Sequence, residues 1–377
     1  MDLRTVLSTS LLSFAAAASL LAGDATADTI RLASGETIDG IKIQEETLNI
    51  VAYSKGSTSR EVPSDQVLSI SYEEYPNLVK KAEEAAAEGD IFAAIESYDL
   101  YVEGQLANPN ERKFKWAPAY AANRAVELNR AVGNYAAVVD AANRLLGNYA
   151  ESRFVPSTYL AKAEAQRYTD DAAGAKATLD ALAALVKSEK LSERYAFDVE
   201  LALLEIDKGL SLGDRMKRVE RLITQAGSKY PTVRRRAELL AGQTNVDEAK
   251  AASDAADVEA ALVAAEKRFG TLLDSADSSD EVRAGSYVGL GDVYFFRANG
   301  EAEGLAKAGN EYLKVTVLYP GERRYLVRAL YEGGRCFYEL GRLNGSEVDQ
   351  ARAQRIFARL GNEFPDSNLT EKAKKLR

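Results

Sequence analysis

Four segments of the chain share one spacing, and that spacing limits the fold more than any other feature. In the first helix of each, a large, a small and a large position follow at +4 and +3. They read Leu78, Ala82, Ala85; Tyr159, Ala163, Gln166; Tyr287, Gly291, Tyr294; and Leu330, Gly334, Phe337. After a break, a small, a large and a large position follow at +4 and +3 in a second helix: Ala94, Tyr98, Tyr101; Ala175, Leu179, Leu182; Ala308, Tyr312, Val315; and Ala353, Phe357, Leu360. Where a closing proline is present, as at Pro320 and Pro365, it stands five residues later. Small residues let the two helices of a hairpin approach closely, and large ones fill the holes on the next hairpin. Residues 192–275 keep the pattern only in part, through Val219, Ile223, Ala226 and Pro231, and the last two full copies carry insertions of about five and seven residues between their helices. The reading is a mainly α chain over 75–377, a solenoid of six or seven antiparallel helix hairpins.

The stretches Tyr-Val-Gly-Leu-Gly-Asp-Val-Tyr (287–294) and Leu-Tyr-Glu-Gly-Gly-Arg-Cys-Phe-Tyr-Glu-Leu-Gly (330–341) resemble the tetratricopeptide repeat (TPR) family. The ending Phe-Pro-Asp-Ser-Asn-Leu-Thr-Glu-Lys-Ala-Lys-Lys-Leu looks like the last hairpin and capping helix, over 367–377, of exported bacterial members. The resemblance implies a non-enzymatic scaffold whose first helices line a concave groove for proteins or peptides. On the last full copy that face carries Arg328, Tyr331, Arg335 and Tyr338; the preceding copy offers Asp292 and Phe295, and the 159 copy Glu164 and Arg167. Two arginines alternating with two tyrosines suit an acidic or C-terminal peptide segment. The competing expectation is tyrosines packed on the neighbouring helix and solvated arginines. A second candidate patch is Lys113-Phe114-Lys115-Trp116, which holds the only Trp and follows the break at Asn108-Pro109-Asn110. It reads either as an exposed contact for a partner, glycan or headgroup layer, or as an anchor of its loop onto the next helix.

Composition removes several chemistries. The 377 residues include no histidine and one cysteine, so Ser-His-Asp and Cys-His catalysis, His general bases and multi-cysteine metal sites are excluded within the chain. No catalytic residue, metal or cofactor is expected. Cys336, in an apolar helical pattern, reads as a buried small hydrophobe. The net charge of -9 argues against nucleic acid as a partner. Arg234-Arg235-Arg236 and Arg323-Arg324 read as solvated helix faces. Two other classes stay open: a cell-wall polysaccharide binder, and a carboxylate-based α/α enzyme acting on glycans, for which the 57 acidic residues supply too many pairs to single one out.

Residues 1–27 have the pattern of a cleaved signal peptide: Arg4, an apolar run from Val6 to Ala22, and Ala25-Thr26-Ala27 before Asp28. Asp24 stands where a lipidated Cys would be needed after Leu20-Leu21-Ala22-Gly23. The expected product is periplasmic or secreted, not lipidated, and without an integral membrane segment after cleavage. Residues 28–74 alternate with period two through Ile30, Leu32, Ile38, Ile41, Ile43, Leu48, Ile50, Tyr53, Val67 and Ile70, with turns at Ser34-Gly35-Glu36 and Lys55-Gly56-Ser57. They read as a small all-β, SH3-like module. Too small to be stable alone, it should lean on the helices or self-associate through a strand edge.

Overall fold

The computed structural model describes residues 27–109, 113–207, 209–365 and 367–376. Residues 1–26, which hold most of the expected signal peptide, lie outside the described residues, as do Asn110, Asp366 and Arg377. Five antiparallel strands come first: β1 (Asp28–Leu32), β2 (Thr37–Glu46), β3 (Ile50–Lys55), β4 (Thr58–Pro63) and β5 (Val67–Ser71), in the order β4-β3-β2-β1-β5. The expected turns form where Gly35 and Gly56 take positive φ, at 88° and 60°. Pro63 closes the edge strand β4, where its missing N–H costs no ladder bond. The alternation buries Ile30, Leu32, Ile41, Val51, Tyr53, Val67, Ile70 and Tyr72 as one small core.

Everything after Pro76 is helical hairpins: α1 (Asn77–Ala87), α2 (Ile91–Ala107), α3 (Ala117–Ala131), α4 (Tyr135–Asn148), α5 (Val155–Tyr168), α6 (Ala172–Ser188) and α7 (Glu193–Ile206), then α8 (Leu212–Ala226), α9 (Pro231–Ala251), α10 (Ala255–Asp274), α11 (Asp280–Ala298), α12 (Ala302–Leu318), α13 (Arg323–Asn344), α14 (Glu347–Glu363) and α15 (Asn368–Lys374). They divide into two compact units at Ile206/Asp207. Unit 1 holds the sheet, three hairpins (α1/α2, α3/α4, α5/α6) and α7. Unit 2 holds α8, three hairpins (α9/α10, α11/α12, α13/α14) and the capping helix α15, whose Thr370 and Ala373 are buried. The insertions do not form loops. They lengthen the helices themselves, so that α13 has 22 residues where α5 has 14.

The turns of four of the six hairpins (α1/α2, α3/α4, α5/α6 and α13/α14) repeat one local device. A residue with positive φ (Gly89, Gly133, Asp170 or Gly345) is followed by a capping residue whose side chain accepts an N–H of the second helix's first turn: Asp90, Asn134, Asp171 and Ser346. The N–H of that same residue donates five residues back, to the carbonyls of Ala85, Asn129, Gln166 and Gly341, at 2.9, 2.9, 2.8 and 3.1 Å. This satisfies the last carbonyls of the first helix.

In each unit, consecutive helices pack in chain order, and first helices also touch the next first helix: α3 with α5 and α5 with α7, α9 with α11 and α11 with α13. The small-large-large positions of the second helices are buried throughout. Ala265, Phe269 and Leu272 of α10 add a copy in the weakly matching region. One phase differs: Leu78 is exposed, and Val79 takes its core position on α1. The small positions are small because aromatic rings press on them. A Cβ at Gly291 would lie 2.6 Å from the Tyr312 ring, and one at Gly334 2.5 Å from the Phe357 ring. Phe269 is wedged between Gly242 of α9 and Gly289 of α11. Gly289→Ala should therefore destabilise unit 2 by about 1–3 kcal/mol through overpacking, despite its better helix propensity. Gly270→Ala, where a Cβ meets nothing within 4 Å, should stabilise by about 0.5–1 kcal/mol. Urea denaturation of the two variants reads both signs.

Candidate functional site

The stripe expected on the last full copy forms on α13, with Arg328, Tyr331, Arg335 and Tyr338 all half-buried. Their partners differ. The Arg328 guanidinium donates to Asp292 Oδ2 at 2.5 Å, and Asp292 Oδ1 accepts from the Tyr312 hydroxyl at 2.7 Å. One carboxylate thus joins α11, α12 and α13. Burial, together with that carboxylate, pushes the Tyr312 hydroxyl well above the usual tyrosine range. Arg335 lies 4.0 Å above the Phe295 ring and 3.1 Å from Glu332 Oε2. Burial raises the Glu332 carboxyl despite the nearby Arg335 and Arg328. Tyr331, Tyr338 and Phe295 pack their inner edges on the core formed by Leu326, Leu330, Phe337 and Phe357.

Arg328 and Asp292 thus come together, and so do Arg335 and Phe295. Glu164 and Arg167 belong to unit 1. Each is ion-paired with a neighbouring first helix: Glu164 with Arg130 of α3 at 2.6 Å, Arg167 with Glu205 of α7 at 2.8 Å. These pairs are parts of wider ladders. In unit 1, Glu83 of α1 accepts from Tyr98, from Tyr120 at 2.5 Å and from Arg124 at 3.3 Å. In unit 2, Glu281 of α11 faces Arg236 of α9 at 3.8 Å and Arg324 of α13 at 3.7 Å.

The arginine runs are accordingly not solvated faces. Arg235 binds Asp277 at 2.8 Å and Glu238 at 2.7 Å, and Arg323 binds Glu363 at 2.8 Å. Side chains this well covered need counter-charges, which come from the same helix (Glu238), from the segment between α10 and α11 (Asp277) and from the adjacent helix α14 (Glu363). Charge patterning along one helix carries no information about the helix opposite, so Glu281 and Glu332 do not stand out in the sequence, and Tyr312 does so only as a packing position.

In the second candidate patch, Trp116 is stacked on Tyr72 at 3.4 Å between ring centroids and 2° between planes. Tyr75, Phe114 and Tyr120 surround it edge-on at 5.4, 6.3 and 5.4 Å. Trp116 anchors the segment to Tyr72, just after β5, as well as to Tyr120 of the next helix, α3. Lys113 pairs with Glu74, and Lys115 is exposed. Cys336 is fully buried, and desolvation pushes its thiol up to about 12.

No protein-family model matches the sequence, and no curated protein does. Among solved structures, the chain is similar to a tetratricopeptide repeat protein from Parabacteroides merdae, at 14% identity and a TM-score of 0.44, over 79% of this chain and 96% of that one. It is also similar to yeast Tom70 (14%, TM-score 0.26, 77% of this chain and 62% of that one) and to the TPR domain of P58(IPK) (13%, TM-score 0.26, 79% and 97%). The chain folds as TPR-like hairpins behind a five-stranded sheet. The hairpin turns and the packing of small residues against aromatic rings define that fold.

The buried thiol gives a direct check on that packing. Cys336 should resist a thiol reagent such as dithionitrobenzoate at pH 8 in the native protein, and react fully once urea unfolds it. Rapid native labelling would mean that the core shared by α9 to α13 is open.

Proposed function

We propose that the chain is a non-enzymatic scaffold of the bacterial cell envelope, holding a protein or peptide segment on the first-helix row of unit 2. The observation that carries this reading is the division of labour along α11 and α13. Arg328 and Asp292 are spent on each other, whereas Phe295, Tyr331, Tyr338 and Arg335 stay half-exposed side by side. Aromatic side chains flanking a guanidinium give contact area at low entropic cost together with one directional charge. Arg335 is the better candidate for a partner's carboxylate, because its counter-charge Glu332 is a neighbour on its own helix and can be exchanged. Arg328 instead ties two helices together.

Export supports the envelope assignment through the tripartite pattern of residues 1–27. No helix among the described residues is long and apolar enough to cross a membrane. The mature protein recovered from the producing cell should begin at Asp28 when its N-terminus is sequenced. A chain still starting at Met1 would remove the envelope from the reading.

The binding row is tested by placing a photo-crosslinking residue at Tyr331 and capturing partners from intact cells. Adding Arg335→Ala with Phe295→Ala should lower the yield of the crosslinked partner by about tenfold, roughly 1.4 kcal/mol of binding, with the native fold retained by circular dichroism. Arg167→Ala, in unit 1, should leave it unchanged. Equal capture by all three proteins would remove the row from the reading.

A further inference from the structure

The sheet touches the helices at points far apart in the chain. Tyr72 stacks on Trp116, just ahead of α3, and also meets Tyr120 of α3 edge-on at 5.9 Å. Glu46, at the end of β2, accepts from Arg153 at 2.6 Å just ahead of α5, and from the Tyr72 hydroxyl at 2.5 Å. Both members of the Arg153–Glu46 pair are under a tenth exposed, at 8% and 6%. Asn49 donates to the Glu189 carbonyl between α6 and α7, and Arg194 of α7 donates to the Asp65 carbonyl at 3.0 Å. Leu48, in the β2–β3 turn, packs on the helical core.

A stack of hairpins transmits stability only from neighbour to neighbour, because each repeat contacts only the next. Here α5 stands between α3 and α7. The sheet adds a second, lateral connection from α3 to α7 that does not run through the packing of α5, and it is itself a single hydrogen-bonded body with its own core. We propose that the β module is a clasp. It fastens the leading ends of α3, α5 and α7 to one rigid sheet, so that these helices open together rather than one hairpin at a time. The aromatic cluster around Trp116 is one end of the clasp, and the Arg194–Asp65 bond is the other. Its buried ion pair holds the middle, where losing either partner would leave an uncompensated charge.

The test is native-state amide hydrogen exchange, read by mass spectrometry on the full chain. Trp116→Leu removes the stack at one end and touches nothing on α7. If the clasp is real, amides of 193–206 should exchange at least tenfold faster, together with those of 117–131. Coupling is reciprocal, so Arg194→Met, at the other end, should speed exchange in 117–131 by a similar factor. Faster exchange confined to the neighbourhood of each substitution, with the distant helix unchanged, would overturn the proposal. If Trp116→Leu does not fold, the Arg194→Met measurement decides alone.

Discussion

The closest approach between helices governs the rest of this structure. Wherever a first helix must come near the second helix of its hairpin, a small residue removes the obstruction and a ring or a branched side chain takes up the space. Tyr312 against Gly291, Phe357 against Gly334, and Phe269 between Gly242 and Gly289 are the same contact made three times. The fit leaves little tolerance, since interiors are packed like crystals and one added methyl group is felt. Because Phe269 presses on first helices of two different hairpins, a single ring sets both the spacing within one hairpin and the spacing to the next.

Charges complete what the rings begin, and the two kinds of cation have separate tasks. The ion pairs described between helices are made by arginine, such as Arg130–Glu164, Arg167–Glu205, Arg268–Glu220 and Arg328–Asp292. The helical lysine pairs run within one helix, as for Lys176–Asp180 and Lys314–Glu311. A planar guanidinium with several donors bridges two backbones and tolerates partial burial, while an ammonium is left better solvated. Arg283 carries the same role to a backbone: it donates to the carbonyls of Leu273, Ser275 and Ser278 and ties off the end of α10.

Much of the fold was legible because it is written in short-range spacing. The second-helix triads and the β-turn glycines each depend on a few adjacent residues, and each stands where the pattern put it. The error at Leu78 is of the same origin, since Leu78 and Val79 are both apolar and the period of 3.6 does not choose between adjacent candidates. The site was legible only as a face of α13. Spacing could place Arg328 and Arg335 on that face, but only the helix opposite decides which one is consumed by Asp292 and which rests on Phe295. The sheet's attachment was hidden for the same reason: Glu46 and Arg153 are 107 positions apart, and neither looks unusual in its own segment.

The arginine ladders have an environmental consequence. With no histidine in the chain, no imidazole changes charge near neutrality, and the guanidinium member of each pair between helices keeps its proton. Electrolyte reaches such pairs more readily than acid does, because mobile ions screen partly exposed charges over a Debye length of about 8 Å at physiological strength. In a protein built this way, salt reaches the joints between helices where a change of acidity leaves their guanidinium half untouched.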